Sequence, residues 1–316
     1  MSLVFIGMPV YNGEKYIKNS LDSLVNQAFS DWELLISDNA SEDNTAAICK
    51  RYCDKDKRIK YFLQKTNMGA LFNFRYLLEN SESKYFMWAA ADDEWDSSFI
   101  DACLKGLESS EDIGLAFTNI VNIDAFGRIN RKYPSFKKFI NDDPYALISN
   151  YILDPECLGK ANLIYGIYKI KKLKAFMIDF FSSQESNYCA SDMALNLGIL
   201  CRVGLSIDER VLFRKRNVQS TDNEKSINYY SFPETPILSS MKGYKFQLYK
   251  KVALAASAGT KYEKLVFTLM EYRERLFKEI QAYDFLANRR KLNLLKSALK
   301  TVLPNSLINF IKKQKK

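Results

Sequence analysis

Residues 92–94 are three consecutive acids, Asp92, Asp93 and Glu94, and they follow directly on the apolar run "YFMWAAA". Adjacent carboxylates repel one another, and burying them unpaired is costly. Something positive is therefore expected to meet them. A hard divalent cation that bridges phosphate oxygens suits such oxygen ligands. Three further apolar runs end in conspicuous polar residues. "LVFIGMPV" runs into Pro9, Tyr11 and Asn12, "WELLISD" into Asp38 and Asn39, and "IKYFLQ" into Asn67 and Gly69. The chain contains no histidine. That excludes a His-based triad, a His-dependent zinc site and a histidine general base, so acid–base and metal chemistry falls mainly to carboxylates.

The elements that must position these residues follow from periodicity. Strands are expected at 3–10, 32–38, 59–64, 84–91 and 114–124. Helices are expected between them at 14–28, 41–53, 70–80 and 97–109. Strands separated by helices of this length imply a mostly parallel sheet covered on both faces. Ligands of such sheets collect at the carboxyl ends of the strands, so the four polar clusters fall on one edge. From about residue 125 the alternation loosens. The spacing predicts strand then helix over 161–176, a helix over 192–201, two short strands over 203–216, a polar loop over 217–236 and helices beyond.

Apolar content of 47% and charged content of 26% over 316 residues indicate a globular chain. The six cysteines form no CxxC pair, and no apolar run reaches spanning length. The opening "MSLVFIGMPVYNG" reads as a first strand and not as a signal peptide, which predicts a cytoplasmic protein with reduced thiols. Net charge is +9, and the segment from Phe285 to Lys316 carries nine bases and no acid. A neutral body with a basic tail is expected, not a nucleic-acid-binding surface. Within 288–316 the leucines recur at helical spacing beside the bases. This predicts an amphipathic helix on an anionic membrane surface.

The segment "MPVYNGEKYIKNSLDSLVNQAFSDWELLISDNASEDNT" resembles the opening of the family 2 glycosyltransferases, of GT-A fold: a Rossmann-like, mostly parallel α/β sheet flanked by helices. "NMGA" and "ADDEW" continue the likeness in order and spacing, over about residues 1–220. The resemblance implies transfer of a sugar from a nucleotide diphosphate donor, UDP or dTDP, to an acceptor hydroxyl with inversion. It also implies a divalent metal, Mn2+ or Mg2+, and a glycan or lipid-linked glycan acceptor at the inner face of a bacterial membrane, in surface polysaccharide assembly. The implied organisation is a catalytic domain over 1–220, with a nucleotide-binding half (1–124) and an acceptor half (125–220). A mobile loop (221–236) and a helical extension (237–316) with the basic tail follow.

By this likeness Pro9, Tyr11 and Asn12 line the nucleotide site, Asp38 hydrogen-bonds the base, and Asn67 and Gly69 belong to the loop after the third strand, with Arg75 further on. Asp92 and Asp93 share ribose contact and metal ligation. Asp192 in "CASDMALNLG" is the general base. Arg214 and Arg216 in "LFRKRNVQST" lie near the diphosphate. Two departures stand out: Ala90 replaces the leading acid of a D-x-D-D pattern, and Arg216 stands where a metal-linked histidine often occurs. Plainer readings stay open. Asp92, Asp93 and Asp192 also read as helix caps, Asp38 as a turn residue, and Arg214 and Arg216 as a solvated strand face. A non-catalytic sugar-nucleotide-binding or scaffold protein of the same fold is the alternative.

Overall fold

A computed structural model describes residues 2–141, 143–154, 158–183, 191–217 and 244–286. The first half follows the alternating pattern. Strands β1 (Val4–Val10), β2 (Trp32–Asp38), β3 (Ile59–Leu63) and β4 (Tyr85–Trp88) lie parallel in the order β3-β2-β1-β4. Helices α1 (Ile17–Val25), α2 (Thr45–Lys55) and α3 (Ala70–Glu79) connect them. β1 and β4 are apolar nearly throughout because helices cover both faces of the sheet centre, and their side chains are almost all buried. Trp88 donates its indole N–H to the carbonyl of Phe74 at 3.1 Å, which ties α3 to β4.

The second half departs from a parallel continuation. It contributes α4 (Phe99–Glu108), the strands β5 (Glu94–Trp95), β6 (Ile113–Ile123), β7 (Ile129–Lys132), β8 (Ile167–Lys169) and β9 (Gly204–Arg216), and the helices α5 (Pro144–Leu153), α6 (Lys174–Ser182) and α7 (Ser191–Leu200). β8 inserts antiparallel between β4 and β6, while β9 lies parallel to β6 and antiparallel to β5. The result is a nine-stranded mixed sheet, with β7 paired to β6 outside the main order. β1 to β4, β6 and β9 all point their carboxyl ends to one edge.

Two expectations from the sequence are corrected here, and two elements are found that the sequence reading did not assign. The two short strands expected over 203–216 are one strand of 13 residues. Its pairing with β6 shifts register where Asp208 and Val211 face Thr118 and Asn119, and the bulge accommodates the polar "DER" at Asp208–Arg210. The stretch 161–176 holds only three strand residues between 3₁₀ turns at Lys160–Tyr165 and Ile170–Lys172. Helix α5 has a sequence signal that went unused: Asp143 caps the N–H of Tyr145 at 3.0 Å, and Pro144 opens the helix. The β6–β7 hairpin turns at Asp124–Arg128, where Gly127 takes φ 80° and the Asp124 carboxylate accepts the N–H groups of Phe126 and Arg128.

Two C-terminal helices, α8 (Tyr244–Ser257) and α9 (Glu263–Leu286), continue the same core. α8 lies against α7 through small residues. A Cβ on Gly198 would stand 3.0 Å from the carbonyl oxygen of Ala256, and Arg202 donates to both of those carbonyls. Lys160 is fully buried and offers its ammonium to the carbonyls of Tyr151 and Asp154 at the end of α5, where the helix presents unpaired acceptors. Residues 218–243, which include most of the polar stretch, and the basic segment 288–316 lie outside the described residues, as do Cys157 and Cys189. Among the described residues no helix is long and apolar enough to cross a membrane.

Packing at the sheet centre leaves no room at Gly7 of β1. A Cβ there would stand 2.9 Å from the Cβ of Leu77 on α3. Gly7→Val is expected to lower unfolding stability by about 1–3 kcal/mol through overpacking. Denaturant melts of the variant and the parent chain measure it.

Candidate active site

The edge shared by the carboxyl ends of β1, β2 and β4 is built before any ligand enters. The loop after β1 is stitched to the loop after β2. Asn12 N–H donates to Ser41 Oγ (2.8 Å), Gly13 N–H to Thr45 Oγ1 (2.8 Å), and Glu42 N–H to Asn12 Oδ1 (2.9 Å). Both loops need left-handed backbone, at Asn12 (φ 51°) and Ala40 (φ 63°), and these cross-links hold it. Asp38 lies beneath them, fully buried. Its carboxylate accepts the Ser41 N–H at 2.8 Å and the Tyr61 hydroxyl at 2.6 Å, and that bond, with burial, raises the Tyr61 pKa. Asn39 then joins this loop to the next, donating to Asn67 Oδ1 and accepting from the Met68 N–H.

The acidic turn after β4 is met by the end of β9. Arg216 is almost wholly buried, and its guanidinium donates to the carbonyls of Asp92 (3.0 Å) and Asp124 (2.7 Å) and to the Glu94 carboxylate. It also stacks 4.7 Å from the ring centroid of Tyr16. Asp93 is completely buried. One carboxylate oxygen accepts the Arg216 N–H at 2.8 Å, and the other lies 3.9 Å from the Lys215 ammonium with no hydrogen bond. Burial pushes the Asp93 pKa up to about 7, and the neighbouring Asp92 charge adds to the rise against Lys215 and Arg216. Asp92 alone of the three acids turns to the cleft.

Two cavities open along this edge. The first, about 410 Å³, is lined by Pro9, Tyr11, Asn12, Ala91 and Asp92 among others. The second, about 310 Å³, is lined by Leu71, Ile164, Phe180, Phe181 and Asp192 among others. Phe74 of α3 and Tyr165 line both and form the wall between them. Tyr165 reaches this position because β8 runs antiparallel to β4, so the residues just before β8 lie beside the carboxyl end of β4. Lys215 lowers the Tyr165 pKa, but burial and the charges of Asp93, Asp92 and Asp192 outweigh it and leave it at about 12. Asp192 opens α7, accepts the Met193 N–H at 2.7 Å and has its pKa raised chiefly by burial.

The structure thus brings Pro9, Tyr11, Asn12 and Asp92 into one cavity and Asp192 into the next. Asp38 and Asn67 stand behind the first cavity and fix its loops. Gly69 (φ 85°) leads into Ala70 and Leu71 of the second. Arg75 pairs with Glu79 at 2.7 Å on the outer side of α3. Arg214 is exposed, near Asp96, and Arg216 has its donors committed to the protein, so its guanidinium is not presented to a diphosphate in this arrangement. Sequence reasoning passed over Tyr165 and Phe74, which line both cavities, and over Lys215 beside Tyr165 and Asp93. Only the strand parity of "RKR" carried a signal, since residues 214 and 216 must face opposite to 215. Among the described residues no group of three or more His, Cys, Asp and Glu is arranged to hold a metal. The open oxygen of Asp93 faces an ammonium, which a divalent cation would not tolerate. The residues fit such a cation at one carboxylate, Asp92, with donor phosphates completing its shell.

Comparison with known proteins places this geometry. A family model described as Glycosyl transferase family 2 matches residues 5–162, half of the chain. An uncharacterised glycosyltransferase of Methanocaldococcus jannaschii is 28% identical over 183 residues, which are 57% of this chain and 63% of that protein. A Bacillus subtilis protein provisionally named as a teichuronic acid biosynthesis glycosyltransferase, TuaG, is 30% identical over 103 residues, 33% of this chain and 41% of its own. The chain spans less than two thirds of the length of these relatives. Among solved structures, residues 1–349 of Staphylococcus aureus TarS superpose with a TM-score of 0.63 at 16% identity, covering 95% of this chain and 79% of that one. The same TarS fragment is also known in complex with UDP and with UDP-GlcNAc. At this identity the likeness establishes the fold, a mixed α/β GT-A architecture.

Removal of the Arg216 side chain would leave Glu94 without its partner and two backbone carbonyls without donors. Arg216→Met is expected to cost about 3–5 kcal/mol of stability. Arg216→Lys is expected to recover only part of it, because three donors on a single nitrogen do not span acceptors placed around a planar fork. Chemical denaturation of both variants measures the difference.

Proposed function

The chain belongs to glycosyl transferase family 2, and on that footing we propose that it is an inverting glycosyltransferase that uses a UDP- or dTDP-sugar donor. The observation that carries the reading is the pair of cavities that share Phe74 and Tyr165 in their lining, one presenting Asp92 and the other Asp192. The first takes the nucleotide diphosphate between Pro9, Tyr11, Asn12 and Asp92, over the Asp38 and Asn67 supports. The second takes the acceptor, its apolar and aromatic lining covering the sugar faces and excluding water. Asp192 removes the acceptor hydroxyl proton as that oxygen attacks the anomeric carbon from the face opposite the leaving group. A divalent cation, Mn2+ or Mg2+, held at Asp92 would supply Lewis-acid stabilisation of the diphosphate.

The setting proposed for this reaction is surface polysaccharide assembly, in line with the name of the Bacillus relative. The acceptor is a glycan or lipid-linked glycan. The proposed location is the inner face of the cytoplasmic membrane, with the basic segment 288–316 on the anionic surface; its nine bases and absence of acids support this. Flotation of the full chain with anionic vesicles, lost with neutral vesicles or at high salt, is the expected outcome. Ala90, in place of a leading acid, favours a second reading, a protein that binds sugar nucleotides without turnover.

A screen of nucleotide sugars for thermal stabilisation, with and without Mn2+, followed by a transfer assay, separates the two readings. Asp192→Asn is expected to lower transfer about 10²–10⁴-fold while donor affinity stays within about twofold. Only the ionised carboxylate can accept the proton, and burial raises its pKa above the usual 3.8. Transfer kcat/KM is therefore expected to rise with pH through an acid limb that lies above 3.8. A limb at or below that value would remove Asp192 as the base.

A further inference from the structure

The β6–β7 hairpin carries an apolar tip. Among the described residues Phe126 is the most exposed large apolar side chain, at 82%, and Ile129 beside it is 54% exposed. A lone exposed phenylalanine on a protein surface is ordinary. This one stands on a fixed turn, with a second apolar side chain and several bases around it. We propose that the hairpin tip is a membrane contact: Phe126 and Ile129 enter the interface of a bilayer that contains anionic phospholipid, and the neighbouring bases meet its phosphates. This deepens the reading of a transferase at the inner face of a membrane and rests on it.

Three observations converge on this tip. First, its backbone is paired within the turn. The Asp124 carboxylate accepts the N–H groups of Phe126 (2.8 Å) and Arg128 (3.0 Å), and the Asp124 carbonyl accepts that of Gly127 (3.1 Å). A tip whose N–H groups are already satisfied can leave water without stranding them. Second, the stretch 125–138, "AFGRINRKYPSFKK", carries five bases and no acid. Arg128 lies 5.0 Å from the Phe126 ring centroid and pairs with Asp124, so the acid of the turn is covered. Lys132 and Lys137 are exposed on the same stretch, and the Lys137 pair with Glu209 lies at the surface, where such pairs are weak. Third, the tip is tied to the donor cleft. The Arg216 guanidinium that holds the Asp124 carbonyl also holds the carbonyl of Asp92, which lines the first cavity.

The chemistry of the tip selects this partner. A glycan or a peptide is recognised through hydrogen-bonding groups, and the N–H groups of the turn are already engaged. A second copy of the chain would need roughly 20–30 residues a side for a stable interface, and a symmetric contact here would bring like bases together. An anionic bilayer takes both parts at once: the apolar side chains go below the headgroups and the basic ones stay among the phosphates. The basic segment 288–316, with nine bases and no acid, supplies one attraction to such a surface. Stable anchoring takes two signals, and the hairpin is the second. Because it shares Arg216 with the donor cleft, it sets the cleft edge toward the surface on which a lipid-linked acceptor presents its hydroxyl.

The test places a reporter at the tip of the full chain. Trp32, Trp88 and Trp95 are buried, so the parent chain gives a steady background for the emission of Phe126→Trp. Vesicles of phosphatidylglycerol and phosphatidylcholine are expected to shift that emission to the blue, and brominated phosphatidylcholine in the same vesicles to quench it. Phosphatidylcholine alone is expected to do neither. Phe126→Ser is expected to weaken vesicle binding about tenfold and Phe126→Leu to keep most of it, with thermal melting unchanged in both. Emission that neither shifts nor is quenched on vesicles to which the chain floats would overturn the inference and leave segment 288–316 as the contact. Blue emission without vesicles would overturn it by showing the tip covered by protein. A parent dimer that Phe126→Ser dissociates in sedimentation would do the same. A parent chain that floats with no vesicle would instead overturn the underlying membrane location, and this inference with it.

Discussion

The buried guanidinium of Arg216 is the interaction on which the site depends. Three acids in a row after an apolar strand would repel and open the turn. Arg216 closes it by serving the Asp92 carbonyl, the Asp124 carbonyl and the Glu94 carboxylate at once. A planar fork reaches acceptors spread along its edges from one buried position, a spacing that the three donors on a single lysine nitrogen do not span. Its own N–H takes one oxygen of Asp93. The turn is thereby fixed with one acid buried, one paired and one left to the cleft. The same contacts tie β4, β6 and β9 together, so the shape of the cleft floor and the closure of the sheet are a single constraint.

The first half of the fold was legible because its pattern is redundant. β2 occupies its expected residues 32–38, and the parallel neighbours β1, β3 and β4 each repeat one rule: an apolar run, a polar end, a helix. The second half lacks that redundancy. β8 has three residues, too few for a period to emerge, and its place between β4 and β6 comes from tertiary pairing. β9 reads as two strands because "DER" is polar in its middle, yet the bulge lets the ladder continue past it. Helix α5 was legible in principle, since Asp143 and Pro144 mark its start, but its residues show little polar face to define a period.

The site divides the same way. Pro9, Tyr11, Asn12 and Asp92 were legible because their chemistry sits at strand ends, and a sheet's direction gathers strand ends. Asp192 was singled out through the family likeness and not through its own surroundings, which the sequence leaves open to a capping role; the structure places it in the lining of the second cavity. The basic residues of β9 could not be told apart in the sequence. In "RKR" each residue has a similar charge, and only the face each one takes decides which pairs internally. That face is set by the register beyond the bulge, where Ile123 pairs with Arg216 and Asn122 with Lys215. Tyr165 had no motif at all; it counts only because of where β8 puts it.

The antiparallel insertion of β8 is what gives this edge two cavities instead of one. Had the sheet continued parallel past β4, the neighbour of Asp92 would have been the polar end of another strand, followed by another helix. β8 runs the other way, so its amino end lies beside the carboxyl end of β4, and the chain arrives there through the 3₁₀ turn at Lys160–Tyr165. That turn is held by the buried Lys160 on the end of α5 and by Asn162 on Gly159. It delivers Tyr165 to a position where, with Phe74, it lines both cavities. Behind it α7 begins, with Asp192 facing the second cavity. The polarity of one three-residue strand therefore decides that a carboxylate from the second half of the chain stands across a single aromatic wall from one supplied by the first.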